Sequence, residues 1–93
     1  MFVTIERRLE MTTKDQIRLW LTIGRRNNAS HVAVLYDPKY KIDIPVYVYL
    51  NRNVKDHLKN YMNVHGKHVI MEVYDLSRDI EYQLSIPRVF YYN

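Results

Sequence analysis

The chain contains no cysteine, and in 93 residues it has only two glycines and three prolines. The first absence excludes a disulfide framework, a thiolate zinc centre and a cysteine nucleophile together. The scarcity of glycine and proline, with no low-complexity stretch and no internal repeat, leaves no segment that reads as a flexible linker. Two targeting features are also missing. MFVTIERRLE lacks the basic start, apolar stretch and small-residue cleavage site of a secretory leader, and no apolar run approaches the ~20 residues that cross a bilayer. The expectation is a soluble, cytoplasmic chain with no membrane partner. Paired carboxylates at catalytic spacing, a phosphate-gripping glycine loop and a nucleophile elbow are absent as well, so the chain reads as a non-enzyme without cofactor or metal.

What the chain does contain is apolar residues and tyrosine. Hydrophobic residues make up 47% of it, enough for one core but not two, so residues 1–93 are expected to form a single compact domain. Nine tyrosines are present, each an apolar ring with a polar tip suited to contact surfaces that stay wet. Such a tyrosine-rich, glycine-poor composition also arises in AT-rich genomes, for example those of phages and viruses; for a viral protein the compartment would be the host cytoplasm. The net charge is +4. Its positive part sits in the first two-thirds: residues 1–30 hold six Lys/Arg against three acids, 31–66 five against three, and 67–93 three against four. This distribution favours an acidic partner, either nucleic acid or an acidic protein surface.

Periodicity divides the chain into alternating elements. FVTIE (2–6) has strand composition. In MTTKDQIRLWLTIGRR, Thr12 or Thr13 followed three residues on by Asp15 or Gln16 forms a capping box that starts a helix. Ile17, Trp20, Leu21 and Gly24 share its apolar face, and Lys14, Arg18 and Arg25 line the next stripe. Gly24 fits either a helix end or a close packing contact. HVAVLY (31–36) is a strand, DPKYKI a reversal, and residues 42–50 a returning strand with Ile42, Ile44, Val46, Val48 and Leu50 on one face. Asp43, Pro45, Tyr47 and Tyr49 occupy the other. Asn53 with Asp56 caps a second helix running to about Val64, with Gly66 past its end. HVIMEVYDL (68–76) alternates as a strand, and IEYQLSI (80–86) alternates again.

The resulting order, β-α-β-β-α-β with a further strand, is that of an α+β ferredoxin-like plait or a variant of it: an antiparallel sheet with two helices on one face and the other face open. On such an open face Tyr47, Tyr49 and Phe2 would stack bases, with Arg7, Arg25, Arg26, Lys39 and Lys41 holding phosphates. RNA or another single-stranded nucleic acid is the favoured partner. The glycine-bearing consensus of RNA-recognition motifs is absent, however, since KIDIPVYVYL contains no glycine. Pro45 also displaces its strand toward an edge or a bulge, because it cannot donate to a ladder. Edge status favours the alternative reading, a protein-interaction module or inhibitor, such as a viral protein that occludes a host protein, or a homodimer paired through strand 42–50 or 80–86. A remote alternative is a histidine-based ribonuclease drawing on His57, His65 and His68 near Asp56 and Lys59.

Overall fold

A computed structural model describes residues 12–49 and 52–93. These form an α+β arrangement of three helices and a three-stranded antiparallel sheet. In chain order the elements are α1 (Lys14–Arg26), β1 (Ala29–Asp37), β2 (Ile42–Tyr49), α2 (Val54–His65), β3 (Val69–Asp75) and α3 (Ile80–Ser85). The strand order is β2-β1-β3. The expected strand at 2–6, with Phe2 and Arg7, lies outside the described residues.

Helix α1 begins where its capping residue places it. Thr13 is the N-cap and its hydroxyl accepts the amide N–H of Gln16 at 3.1 Å, satisfying one of the orphan donors of the first turn. The helix does not stop at Gly24. It runs through Arg26, and the chain reverses at Asn28, which takes the left-handed conformation at φ 65°. Gly24 instead serves packing. A Cβ there would meet Val32 Cγ2 at 2.9 Å, Leu76 Cδ1 at 3.0 Å and Tyr47 Cδ1 at 3.1 Å, so the missing side chain is what seats the helix on the sheet. Trp20 packs at the flank of this interface, half-buried, while Ile17 and Leu21 fill it.

Strand β1 is central and is buried along almost its whole length. Its alternate residues serve two separate cores. Val32, Val34 and Tyr36 join Ile17 and Leu21 of α1, Tyr74 of β3 and Leu84 of α3. Ala33 and Leu35 join Val46 and Val48 of β2, Val54 and Leu58 of α2, and Val73 of β3. Helices therefore cover both faces of the sheet, which corrects the expected arrangement of two helices on one face and an open second face. The physical reason is visible in β1: a strand apolar on both faces must be covered on both. Within the sheet, β2 and β3 flank β1 and are joined by α2, so β1 splits a β-α-β unit.

The segment 80–86 is a second correction. It is not a strand; residues 80–85 form helix α3, capped by the Asp79 carboxylate, which accepts the Tyr82 N–H at 2.9 Å. The competing period won because Ile80 and Leu84, four residues apart, turn inward together with Gln83. That glutamine is fully buried, and its amide accepts from Asp75 N at 2.9 Å and donates to Asp75 O at 2.9 Å. It thereby satisfies the last backbone groups of β3. The C-terminal aromatic segment docks on the body: Val73 N donates to Val89 O at 2.8 Å and Tyr91 N to Val73 O at 2.9 Å, a short parallel pairing that covers the outer edge of β3. Among the described residues β2 is the opposite edge, where Pro45, paired with Val34 of β1, needs no ladder donor on its outer side.

Candidate functional site

The residues expected to bind nucleic acid are scattered by this fold. Tyr47 is half-buried under α1, its ring against the Gly24 position, and burial pushes its phenol pKa up, with Tyr49 acting in the same direction. Tyr49 is exposed at the end of β2. The two rings thus belong partly to the packing of α1 and do not form an open platform. Arg25 donates from Nη2 to Leu76 O at 2.8 Å and to Arg78 O at 2.9 Å. Its guanidinium closes the β3–α3 loop. Arg26 is exposed beside it. Lys39 and Lys41 lie at the other end of β1, in the β1–β2 turn. Nine residues of strand separate the two pairs of cations by about 27 Å.

At the arginine end the polar groups other than Arg26 are spent on holding loops. Asp75 accepts from the Ser77 amide and hydroxyl at 2.9 and 2.7 Å and from Arg78 Nε at 3.3 Å. Burial opposes ionisation of this carboxylate, but the Ser77 bonds, His31 and Arg78 together hold its pKa below the usual value. His31 is buried and uses both ring nitrogens, Nδ1 with Ser30 Oγ and Nε2 with the carbonyl oxygen of Asn93. Ser30 in turn donates to Val48 O at 3.1 Å. A serine, a histidine and an aspartate meet here; the Ser30 hydroxyl donates to a backbone carbonyl and the imidazole spans Ser30 and Asn93, so the group ties the start of β1 to β2 and to the C-terminal segment. The Lys14/Arg18/Arg25 stripe is likewise structural in part: Arg18 Nε and Nη2 grip Glu81 of α3 at 2.7 and 2.9 Å.

The hairpin end differs. A cleft of about 500 Å³ opens between the β1–β2 turn and the end of α2, lined by Asp37, Lys39, Tyr40, Tyr61, His65 and Lys67, among others. Asp37 shapes its turn, with Oδ1 accepting the amides of Lys39 and Tyr40 at 2.9 and 3.4 Å, and Lys41 follows in the left-handed region at φ 58°. The other carboxylate oxygen of Asp37 lies 3.6 Å from His68 Nε2, and the His68 ring is 3% exposed, with Nδ1 donating to Gly66 O at 2.8 Å. Tyr61 packs on His65 with ring centroids 4.3 Å apart and the planes tilted by 35°, and meets His68 edge-on at 5.6 Å. Lys39 Nζ sits 5.3 Å from the centroid of the Tyr40 ring, which is 65% exposed.

Among the described residues this end carries more cations than acids. Its one carboxylate in the cleft wall, Asp37, is occupied by two amides and His68. Lys39, Lys41 and Lys67 have no acidic partner within ion-pair distance among the described residues. Of the histidines considered in the sequence, His65 and His68 come together here. His57 lies eight positions back along α2, about 12 Å away. Asp56 and Lys59 are on α2 outside the cleft. No group of three or more His, Asp or Glu side chains able to hold a metal occurs among the described residues, and no helix among them is long and apolar enough to cross a membrane. No local spacing marks Tyr40, Tyr61 and Lys67 as a site, because only the return of α2 along the sheet brings its C-terminus to the hairpin turn.

Neither a protein-family model, nor a curated protein, nor a solved structure matches the chain.

Proposed function

We propose that the protein binds single-stranded nucleic acid, RNA in preference, at the hairpin end. The observation that carries this reading is the juxtaposition, around one cleft, of Lys39 and Lys67, which have no acidic partner among the described residues, with an exposed tyrosine ring and a packed tyrosine–histidine pair, Lys41 following in the adjoining turn. Single-strand binding requires this combination: ammonium groups to follow the phosphates and ring faces on which any base stacks. The C-terminus of α2 carries partial negative charge, so phosphates are expected first on the hairpin side, at Lys39 and Lys41, with Lys67 offsetting the helix end. Bases would stack on Tyr40 and at the Tyr61–His65 pair.

The chemistry of the histidines supports binding over catalysis. A general acid or base must reach the proton it transfers; the His68 ring is buried and engaged by Gly66 O and Asp37, which leaves the exposed His65 without a second histidine to act as its acid–base partner. The test is fluorescence anisotropy of a labelled single-stranded RNA and of the matching DNA across a salt series. Lys39→Gln with Lys67→Gln should weaken binding and flatten the dependence of log K on log salt by about 1.4, two lysines at ~0.7 each. Tyr40→Ala should weaken binding about tenfold, the value of one lost stack. Unchanged affinity in both variants would rule out this site, and absence of binding to either strand at low salt would remove the function.

A further inference from the structure

A second cleft, separate from the hairpin end, has a different chemistry. Helix α2 lies across β2 and β1, burying Val54 and Leu58, and the C-terminal segment covers the far edge of β3. Between helix and segment the sheet face over β3 is only partly roofed. The opening is a cleft of about 340 Å³ walled by Leu58, Met62, Ile70 and the half-buried Tyr92. Lys55, Lys59 and Asn63 border it. These three are spaced four residues apart and so stand in one row along α2.

Charge and shape are both specific. No acidic residue lines the cleft among the described residues, and Lys59 has no acidic partner there. Lys55 Nζ is held 5.1 Å from the centroid of the Tyr92 ring, which keeps its charge at the rim of the apolar surface. The row from Lys55 to Asn63 spans about 12 Å of helix. Burial pushes the Tyr92 phenol pKa up, which keeps a neutral O–H donor at the cleft. An apolar floor with a few convergent polar groups on one border is the usual composition of a small-molecule site.

We propose that this cleft binds a single-chain amphipathic carboxylate, of the class of medium-chain fatty acids. The acyl chain lies against Leu58, Met62, Ile70 and the Tyr92 ring, and the carboxylate is held by Lys55 and Lys59. Neither an apolar ligand without charge nor a small anion without a chain uses both parts of the site.

The experiment is a titration of the isotope-labelled protein followed by NMR, with decanoate, decylamine and acetate as probes. Decanoate, kept below its aggregation concentration, should produce saturable shifts at the Met62 and Ile70 methyl groups and the Tyr92 ring. Decylamine should bind at least tenfold more weakly, and acetate should leave the methyl groups unmoved. Lys55→Glu with Lys59→Glu, both exposed positions, should weaken decanoate at least tenfold while the remaining spectrum reports an intact fold. Equal affinity for decanoate and decylamine would overturn the proposal, as would shifts that avoid Met62 and Ile70 or undiminished binding by the charge-reversed variant.

Discussion

The two ends of β1 carry similar numbers of basic groups and use them in opposite ways. At the arginine end, Arg25 and Arg78 are bonded to loop carbonyls and to Asp75, and the fully buried Gln83 completes the knot. At the hairpin end, Lys39 and Lys67 line a cleft and Lys41 follows in the adjoining turn, none of them with an acidic partner among the described residues. The difference follows partly from side-chain chemistry. A planar guanidinium with several donors in a fixed fork can close a loop by bonding more than one carbonyl, as Arg25 does, whereas an ammonium on a flexible stem stays hydrated unless a ligand fixes it. Cations engaged in this way hold the fold together, and cations left hydrated are available to a partner.

The contrast can be broken most severely at Gln83. Gln83→Leu leaves the buried amide of Asp75 without its partner and the carbonyl with the Arg78 N–H alone, and it should cost about 2 kcal/mol of stability in urea denaturation, at ~1–3 kcal/mol per unsatisfied group. Gly24→Ala is the next largest. Helix propensity alone would favour alanine by ~1 kcal/mol, but the added methyl meets Val32, Leu76 and Tyr47 at 2.9–3.1 Å. Overpacking at ~1–3 kcal/mol should leave a net loss of about 1 kcal/mol, and a gain in stability would show that α1 is seated less tightly than described.

Paired substitutions at the two ends sharpen the comparison. Arg25→Gln should lower stability by roughly 1 kcal/mol, the net value of an exposed charged hydrogen bond, and leave oligonucleotide affinity nearly unchanged. Lys67→Gln should do the reverse, with stability within about 0.5 kcal/mol of the parent and a measurable loss of affinity. If both substitutions weaken binding equally, the ends are not functionally distinct. The smallest effect is in pH. Asp75 has a folded pKa below its unfolded value, so its contribution is fully present above about pH 4 and is lost as the pH falls through the folded value. The acid limb of a stability profile should therefore be shallower in Asp75→Asn.

Much of the local structure was legible in the residues. Thr13 with Gln16 and Asn53 with Asp56 marked helix starts that the structure realises, because a cap is a local hydrogen bond that needs no tertiary partner. Pro45 pointed its strand toward an edge or a bulge for an equally local reason, the missing N–H, and among the described residues β2 is an edge. IEYQLSI was read wrongly because a seven-residue segment with apolar residues at 80, 82, 84 and 86 fits a period of two, while 80 and 84 alone fit a helix. Tyr82, 63% exposed, shows which spacing the fold uses. The Asp79 cap was the available signal. Tyr47 was assigned to a wet platform because alternation gives the face of a strand but says nothing of what covers that face.

The sequence by itself determined the segments, the two-sided apolarity of residues 32–36 and the excess of positive charge, since these depend on propensity, spacing and composition. Only the tertiary structure decided which cations are occupied and which are left without partners. That outcome depends on how α2 returns along the sheet and on where the α3 loop meets Arg25, contacts between distant residues that no local spacing encodes.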